Sequence, residues 1–367
     1  MSRLRVGVIG AGSWVVASHL PTLATRRDEL EFVAVCREGA ELLEHVRERF
    51  GFQIASEDYR DVLAADIDLC IVASPTAFHH EHAKAALMAG AHVLVEKPVT
   101  IKPSDAWELV AIAADQERHL VCSFGWNYRP LLARAREMMQ GTGVGPIEHV
   151  SIRMASFTRE LLANLGAYPK ASPEAIPEQR TWTDPLLSGG GYAQAQLTHA
   201  LAAALWMTGQ RGAEVSAFMS APLDAPVELH DAMILRFDDG AIGVLSGASS
   251  HADAIDAPEN ELDINVIGRD GQFVLSIERG LARLLRADGE ETVDLGPAGG
   301  AYDCVGPPLA LVDLILGDPD VINQSPGELG ARTVEILAAA YQSADSGQRA
   351  SIAREEPSGP GLTATAA

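Results

Sequence analysis

Glu96-Lys97-Pro98 closes the apolar run Ala91-His92-Val93-Leu94-Val95 and sets an ammonium at the end of a segment that reads as a buried parallel strand. In open α/β sheets, ligands bind outside the carboxyl ends of the strands. A lysine there brings three donors and a pKa that burial or a cationic neighbour lowers, so it can trade a proton with a substrate hydroxyl. Pro98 fixes its own φ and keeps Lys97 out of helical geometry, and Glu96 is placed to pair with Lys97 or a nearby amide. The second chemical signal is Gly10-Ala11-Gly12-Ser13, directly behind the strand-like run Arg3–Ile9. Glycines at a strand-to-helix turn let the backbone approach a diphosphate, whose charge then meets the helix N-terminus. Ser13 reads as the N-cap of a helix running from Trp14 toward Leu23. Val15 stands where the dinucleotide fingerprint has its third glycine, which predicts looser helix–strand packing at that point.

The elements that must hold these groups alternate strand and helix. Glu31 to Cys36 is a strand with a helix over Ala40 to Phe50 behind it. Ile67 to Ala73 is wholly apolar, as a strand buried on both faces requires, and ends in Ser74-Pro75-Thr76 before a helix over His80 to Ala89. After the Lys97 strand come a helix from Pro103 to about Glu117 and a strand over Leu120 to Ser123. This spacing predicts a doubly wound parallel sheet in residues 1–124. The end of the second strand chooses between nicotinamide cofactors: an acid bonds the ribose 2′-hydroxyl of NAD, and an arginine accepts the 2′-phosphate of NADP. Arg37 takes that place, with Glu38 one residue late, so NADP is favoured; an outward Arg37 with Glu38 on the ribose gives NAD.

Length and charge limit the rest. The chain has 367 residues, which at roughly 150 per domain suggests two domains. Its net charge of −22 argues against nucleic-acid and anionic-membrane partners, which call for basic patches. No apolar run reaches the roughly 18 residues of a membrane span, and the N-terminus lacks the layout of a signal peptide. The four cysteines have no metal-type spacing, and a reducing cytoplasm is the simplest compartment. His79 and His82 share a helix face, but no acid or cysteine joins them, so no metal site is expected.

From Phe124-Gly125 the pattern changes. A helix over Pro130 to Gln140 precedes strand runs over Glu148–Ala155, Glu214–Ser220, Ala232–Phe237, Ala241–Ser246, Glu261–Ile267 and Gln272–Ile277. Turn signals such as Asp238-Asp239-Gly240 and Asp270-Gly271 predict hairpins, hence a mainly antiparallel open sheet in an α+β domain over 125–350. A helix over about Pro326 to Ala344 ends the domain, and residues 351–367 read as a disordered tail. The exposed face of such a sheet predicts a homodimer or homotetramer.

Five segments together make the chain resemble the glucose–fructose oxidoreductase/inositol dehydrogenase/MocA family of nicotinamide-dependent sugar and cyclitol oxidoreductases. They are Val8-Ile9-Gly10-Ala11-Gly12 with His19, Ser74-Pro75-Thr76 with His79, Glu96-Lys97-Pro98, Trp126-Asn127-Tyr128-Arg129-Pro130, and Gly189-Gly190-Gly191 with His199. The resemblance covers residues 3 to 350 and implies a Rossmann first domain with NADP or NAD. It implies that Lys97 contacts nicotinamide ribose and substrate and serves in proton transfer. It also implies that the Ser74–His79 loop borders the dinucleotide and that Asn127 and Arg129 frame the nicotinamide end.

Two departures stand out. The family carries an aspartate four residues before the histidine of its second catalytic motif; here that position is Ala195, flanked by Gln194 and Gln196. Its usual Trp-Arg ahead of the glycines reads Arg180-Thr181-Trp182-Thr183, which moves the arginine to Arg180 or removes the contact. Without the aspartate His199 loses a partner that favours its charged form, so it is expected neutral and ready to accept a proton, with Lys97 stabilising developing alkoxide. Trp182 and Tyr192 are candidates to line a carbohydrate-like substrate, with core packing the alternative for Tyr192. Trp14 and Trp126 stack on a ring or pack in the core. The reading is an NAD(P)-dependent dehydrogenase or reductase acting on a CH–OH group. Its alternatives are a glycoside-cleaving enzyme that retains its nicotinamide and a non-catalytic dinucleotide-binding protein.

Overall fold

A computed structural model describes residues 3–167, 176–251 and 260–354. Six strands form the first sheet: β1 Leu4–Ile9, β2 Leu30–Cys36, β3 Ile54–Ser56, β4 Leu69–Val72, β5 His92–Val95 and β6 Leu120–Cys122. They are parallel throughout in the order β3-β2-β1-β4-β5-β6. The order reverses beside β1 and β4, which is where such sheets open a ligand crevice. β4, Leu-Cys-Ile-Val, is buried at every position, as its lack of alternation predicts.

The helix behind β1 departs from expectation. It begins at Ser13 itself, not after it, and residues Val15–His19 form a π-turn before the α-helical Leu20–Ala24. Pro21 has no N–H to donate and interrupts the regular ladder, while the Leu20 amide reaches back to the Val15 carbonyl. Val15 does not open the packing: it is 1% exposed in the core.

The second sheet comprises β7 Ile147–Ser156, β8 Gly212–Ser220, β9 His230–Phe237, β10 Ile242–Ser249, β11 Asn260–Gly268, β12 Gly271–Ser276, β13 Leu281–Arg286, β14 Gly289–Asp294 and β15 Ala350–Ser351. Its order is β14-β13-β12-β11-β7-β10-β9-β8-β15, antiparallel except for the β10–β7 pair. β9 and β10 alternate strictly, burying Asp231, Met233, Leu235, Phe237 and Gly243, Leu245, Gly247, Ser249 on one face. Against this sheet lies the helix Thr198–Thr208, buried from Thr198 through Met207. A helix buried this way, with His199 its one titratable residue, must be enclosed on every side.

The chain then returns to the first sheet. In the helix Gly306–Leu316, Leu311 and Val312 join the core formed by Val6, Val8, Leu94 and Val121, and Asp313 pairs with Arg26 at 2.9 Å. Pro326 bridges Val121 at the β6 edge before the helix Gly327–Ser346. The tail expected from residue 351 starts later: Ser351 pairs with β8 in β15 and Ile352 is buried, while residues 355–367 lie outside the described residues. No described helix is long and apolar enough to cross a membrane.

Candidate active site

Lys97 leaves the mouth of β5 partly buried, and its Nζ donates to the carbonyl of Ala195 at 2.8 Å. Ala195 sits in a π-turn, Ala193–Leu197, that leads into the helix bearing His199. The residue that replaces the family aspartate therefore still meets the ammonium, through its backbone. The Trp182 ring centroid lies 5.5 Å from the same Nζ, within cation–π range. Desolvation lowers the Lys97 pKa below the ordinary lysine value, with Glu96 opposing it.

His199 is 6% exposed inside an aromatic cage, edge-on to Phe124, Trp126 and Tyr302 at 6.0, 5.7 and 5.3 Å. Burial, then the nearby Lys97 charge, push its pKa well below the usual histidine range, so the ring is neutral. Its Nδ1 is buried with no protein partner.

Glu96 points away from the ammonium. His19 Nε2 donates to its Oε1 at 2.7 Å, and the Lys97 amide donates to Oε2 at 3.2 Å. Burial alone would raise this carboxyl; the His19 bond and charge, then Lys97 and Ser123, hold it down at about 2. Cys304 Sγ completes a cluster whose ligand-type atoms lie within 4.8 Å of one another, and Ser123 Oγ is 3.0 Å from that sulfur. A His–Glu separation of 2.7 Å is hydrogen bonding, and burial pushes the thiol up to about 12.

The dinucleotide side assembles around Gly10. Its φ is +89°, and a Cβ there would lie 2.2 Å from the Ser74 amide nitrogen, so only glycine lets the turn touch the Ser74-Pro75-Thr76 loop. Gly12 meets nothing closer than 4.0 Å where its Cβ would stand, leaving the approach that a diphosphate needs. Ser13 and the half-exposed Trp14 follow, with Trp14 stacked on Tyr302 at 6.1 Å. Arg37 folds back over this turn: its Nη1 donates to the Ala11 carbonyl at 3.2 Å and its Nε to that of Glu38 at 3.1 Å. Glu38 itself is exposed. Asn127 is buried, with Nδ2 on the Gln324 carbonyl at 3.0 Å and Oδ1 unpartnered. Arg129 pairs with Asp303 and donates to the Ala298 carbonyl at 3.1 Å. The open ground at Gly12 and the orphaned Asn127 Oδ1 fit a nicotinamide dinucleotide.

The structure bears on four of the residues and segments singled out in the sequence. The ring of His79 does not face a ligand: its nitrogens lie 2.9 and 2.7 Å from the carbonyls of Pro98 and Ser74, bracing the two loops together. Tyr192 is fully buried, and its hydroxyl accepts from Ser156 at 3.0 Å, so it packs in the core. The glycine run lies against protein: Cβ atoms at Gly189, Gly190 and Gly191 would strike Ile101, the Tyr341 hydroxyl and the Glu228 carbonyl. Arg180 faces Asp184 at 3.7 Å on the surface. The loop carrying Tyr302 and Cys304 was missed, since nothing local in residues 301–305 marks it.

Residues 4–124 match a family model described as an oxidoreductase family with an NAD-binding Rossmann fold, and residues 132–274 match the GFO/IDH/MocA C-terminal domain. D-glucoside 3-dehydrogenase of Escherichia coli (strain K12) is 31% identical over 57% of this chain and 55% of its own length, so the match spans little more than half of that relative. Levoglucosan dehydrogenase of Pseudarthrobacter phenanthrenivorans is 24% identical over 76% of this chain and 75% of its own. A crystal structure of levoglucosan dehydrogenase with NADH and levoglucosan superposes with TM-score 0.75 at 21% identity, covering 96% of this chain and 100% of that one. At that identity the likeness carries the fold.

Proposed function

The chain belongs to the Gfo/Idh/MocA oxidoreductase family, and we propose that it transfers hydride between a nicotinamide dinucleotide and a secondary alcohol or ketone of a sugar, sugar derivative or cyclitol. Lys97 and His199 are the acid/base pair. The observation that carries this reading is the bond from Lys97 Nζ, at the mouth of β5, to the carbonyl of Ala195, four residues before His199 on the helix packed against the second sheet.

When bound, the nicotinamide supplies the hydride acceptor or donor. Gly10, Gly12, Ser13 and the Ser74-Pro75-Thr76 loop receive the diphosphate side, and Asn127 offers its free acceptor at the other end. In oxidation, neutral His199 takes the hydroxyl proton while the Lys97 ammonium stabilises the oxygen as it gains charge. In reduction the same pair returns the proton. Trp182 gives the Lys97 side of the site an apolar ring face, on which a sugar can pack.

Arg37 beside the glycine turn supports NADP over NAD, because a guanidinium there can take the 2′-phosphate. The exposed face of the second sheet carries Phe218, Ile234, Ile242 and Val244, with Ile234 and Val244 directly paired across β9 and β10. Such a face supports a homodimer or homotetramer. Fluorescence titration with NADPH and NADH, followed by a sugar screen using the tighter one, tests the reading. Absence of turnover on every sugar and cyclitol in both directions would sink it.

A further inference from the structure

Glu228, in the loop between β8 and β9, holds the start of the helical segment that bears Ala195 and His199. Three successive amides there donate to this one residue. Gly191 N–H reaches both carboxylate oxygens at 2.8 Å, Ala193 N–H reaches Oε1 at 3.2 Å, and Tyr192 N–H reaches the Glu228 carbonyl at 3.0 Å. The Tyr341 hydroxyl, from the helix Gly327–Ser346, donates to Oε1 at 2.5 Å. The first amides of a helix have no partners within it, and a negative group at that end is favoured by the aligned peptide dipoles. Here a carboxylate from another element supplies what a local N-cap usually does. The approach is close: a Cβ on Gly191 would lie 2.1 Å from the Glu228 carbonyl oxygen.

We propose that Glu228 is a positioning residue for the Lys97–His199 pair: its ionised carboxylate fixes the helical turn from which the Ala195 carbonyl and the His199 ring are presented. This rests on the hydride-transfer reading for its catalytic consequence, though not for the clamp itself. Without the clamp the Ala195 carbonyl drifts and the ammonium loses its register against the imidazole. A misplacement of about 1 Å can cost roughly 10²-fold in rate.

The clamp is also titratable. Among the described residues, the titratable groups that face Glu228 are Tyr341 and Asp231. Asp231 lies on the inner face of β9, 3% exposed, with both carboxylate oxygens lacking a hydrogen-bond partner. Burial, then Glu228, raises Asp231 well above the ordinary aspartate value. Burial raises Glu228 too, against the pull of Tyr341 and the amides. Its ionised form, and with it the clamp, is present above that raised pKa and lost as pH falls through it.

The test combines hydrogen–deuterium exchange of a peptide spanning 189–199 with steady-state kinetics on full-length protein. Glu228→Ala is expected to lower protection in that peptide alone, sparing the six-stranded sheet. Its kcat should fall about 10- to 100-fold with the dinucleotide Kd unchanged. Glu228→Gln mimics the protonated acid, so at neutral pH it should show the lowered protection and kcat that the wild type is expected to reach only on the acid side, with no further acid-side fall. If Glu228→Ala does not fold, the Glu228→Gln profile decides alone. Wild-type protection in Glu228→Ala, lost protection with unchanged kcat, or an acid-side fall that persists in Glu228→Gln overturns the proposal. Should the wild type turn over no sugar, the hydride-transfer reading fails, and the exchange data still decide the clamp.

Discussion

Lys97 Nζ stands 2.8 Å from the carbonyl oxygen of Ala195, so the residue that lacks the family's carboxylate remains the ammonium's partner. A carbonyl binds without adding charge. Burial among Phe124, Trp126 and Tyr302 and the Lys97 charge outweigh the opposing pull of Glu96 on the protonated form of His199. The proposed acid/base pair is thus a cation beside a neutral imidazole.

The pH profile follows from that pairing. His199 must be neutral to act as base, and its pKa lies well below 6.5, so kcat for oxidation stays flat as pH falls through 6.5. Lys97 must stay charged, and its pKa is below 10.5, so the alkaline loss sets in earlier than an ordinary lysine would give. Ala195→Asp restores a carboxylate near both groups and is expected to move the acid limb up by roughly one to three pH units. An unmoved acid limb contradicts this electrostatic account.

If Arg37 selects the dinucleotide as proposed, its removal changes the preference. Arg37→Asp is expected to weaken NADPH by about 10-fold or more and to improve NADH, because a charged hydrogen-bonding contact is replaced by repulsion. Fluorescence titration measures both. Equal affinities before and after the substitution rule out Arg37 as the selector.

Glu96 contributes stability with a defined pH window. Its folded pKa of about 2 lies below the ordinary 4.5, so the contribution is present above 4.5 and is lost as pH falls through 2. His19→Ala strips the carboxylate of its main partner and should cost roughly 3 kcal/mol near neutrality, since a buried charge is left uncompensated. Urea unfolding of the two proteins at pH 7 checks the magnitude; a difference below about 1 kcal/mol would show that water replaces His19.

How much of this was legible in the chain depended on whether the signal was local. β4 and β5 were readable because strands buried on both faces are nearly unbroken apolar runs, and β1 because it leads straight into the turn at Gly10. β3 spans three residues, and β14, Gly-Glu-Glu-Thr-Val-Asp, is a polar edge strand, so neither announces itself. The helix Gly306–Leu316 opens with Gly-Pro-Pro, which reads as a loop. Within the candidate site, Lys97 and His199 were singled out through their motifs. Cys304, Tyr302 and Glu228 lie in loops that reach the site only through tertiary packing, and no period or spacing marks them. The glycines at 189–191 were visible, but their reason was not, because Ile101, Tyr341 and Glu228 are distant in sequence.

The exposed face of the second sheet yields a prediction about assembly. Light scattering is expected to give a mass two or four times the 38.9 kDa of one chain. Phe218→Glu, at a position 82% exposed in one protomer, is expected to shift that mass toward the monomer without loss of fold. A wild-type mass of one chain contradicts the assignment of this face.

The most direct test of the central claim is the single-turnover rate of hydride transfer in the wild type, Lys97→Met, His199→Asn and the double variant, with dinucleotide affinity measured alongside. Two groups acting on one hydroxyl predict that each single change slows the step by about 10² or more, that the double is little slower than the worse single, and that affinity holds. Wild-type rates in Lys97→Met, or losses that simply multiply in the double variant, would contradict it.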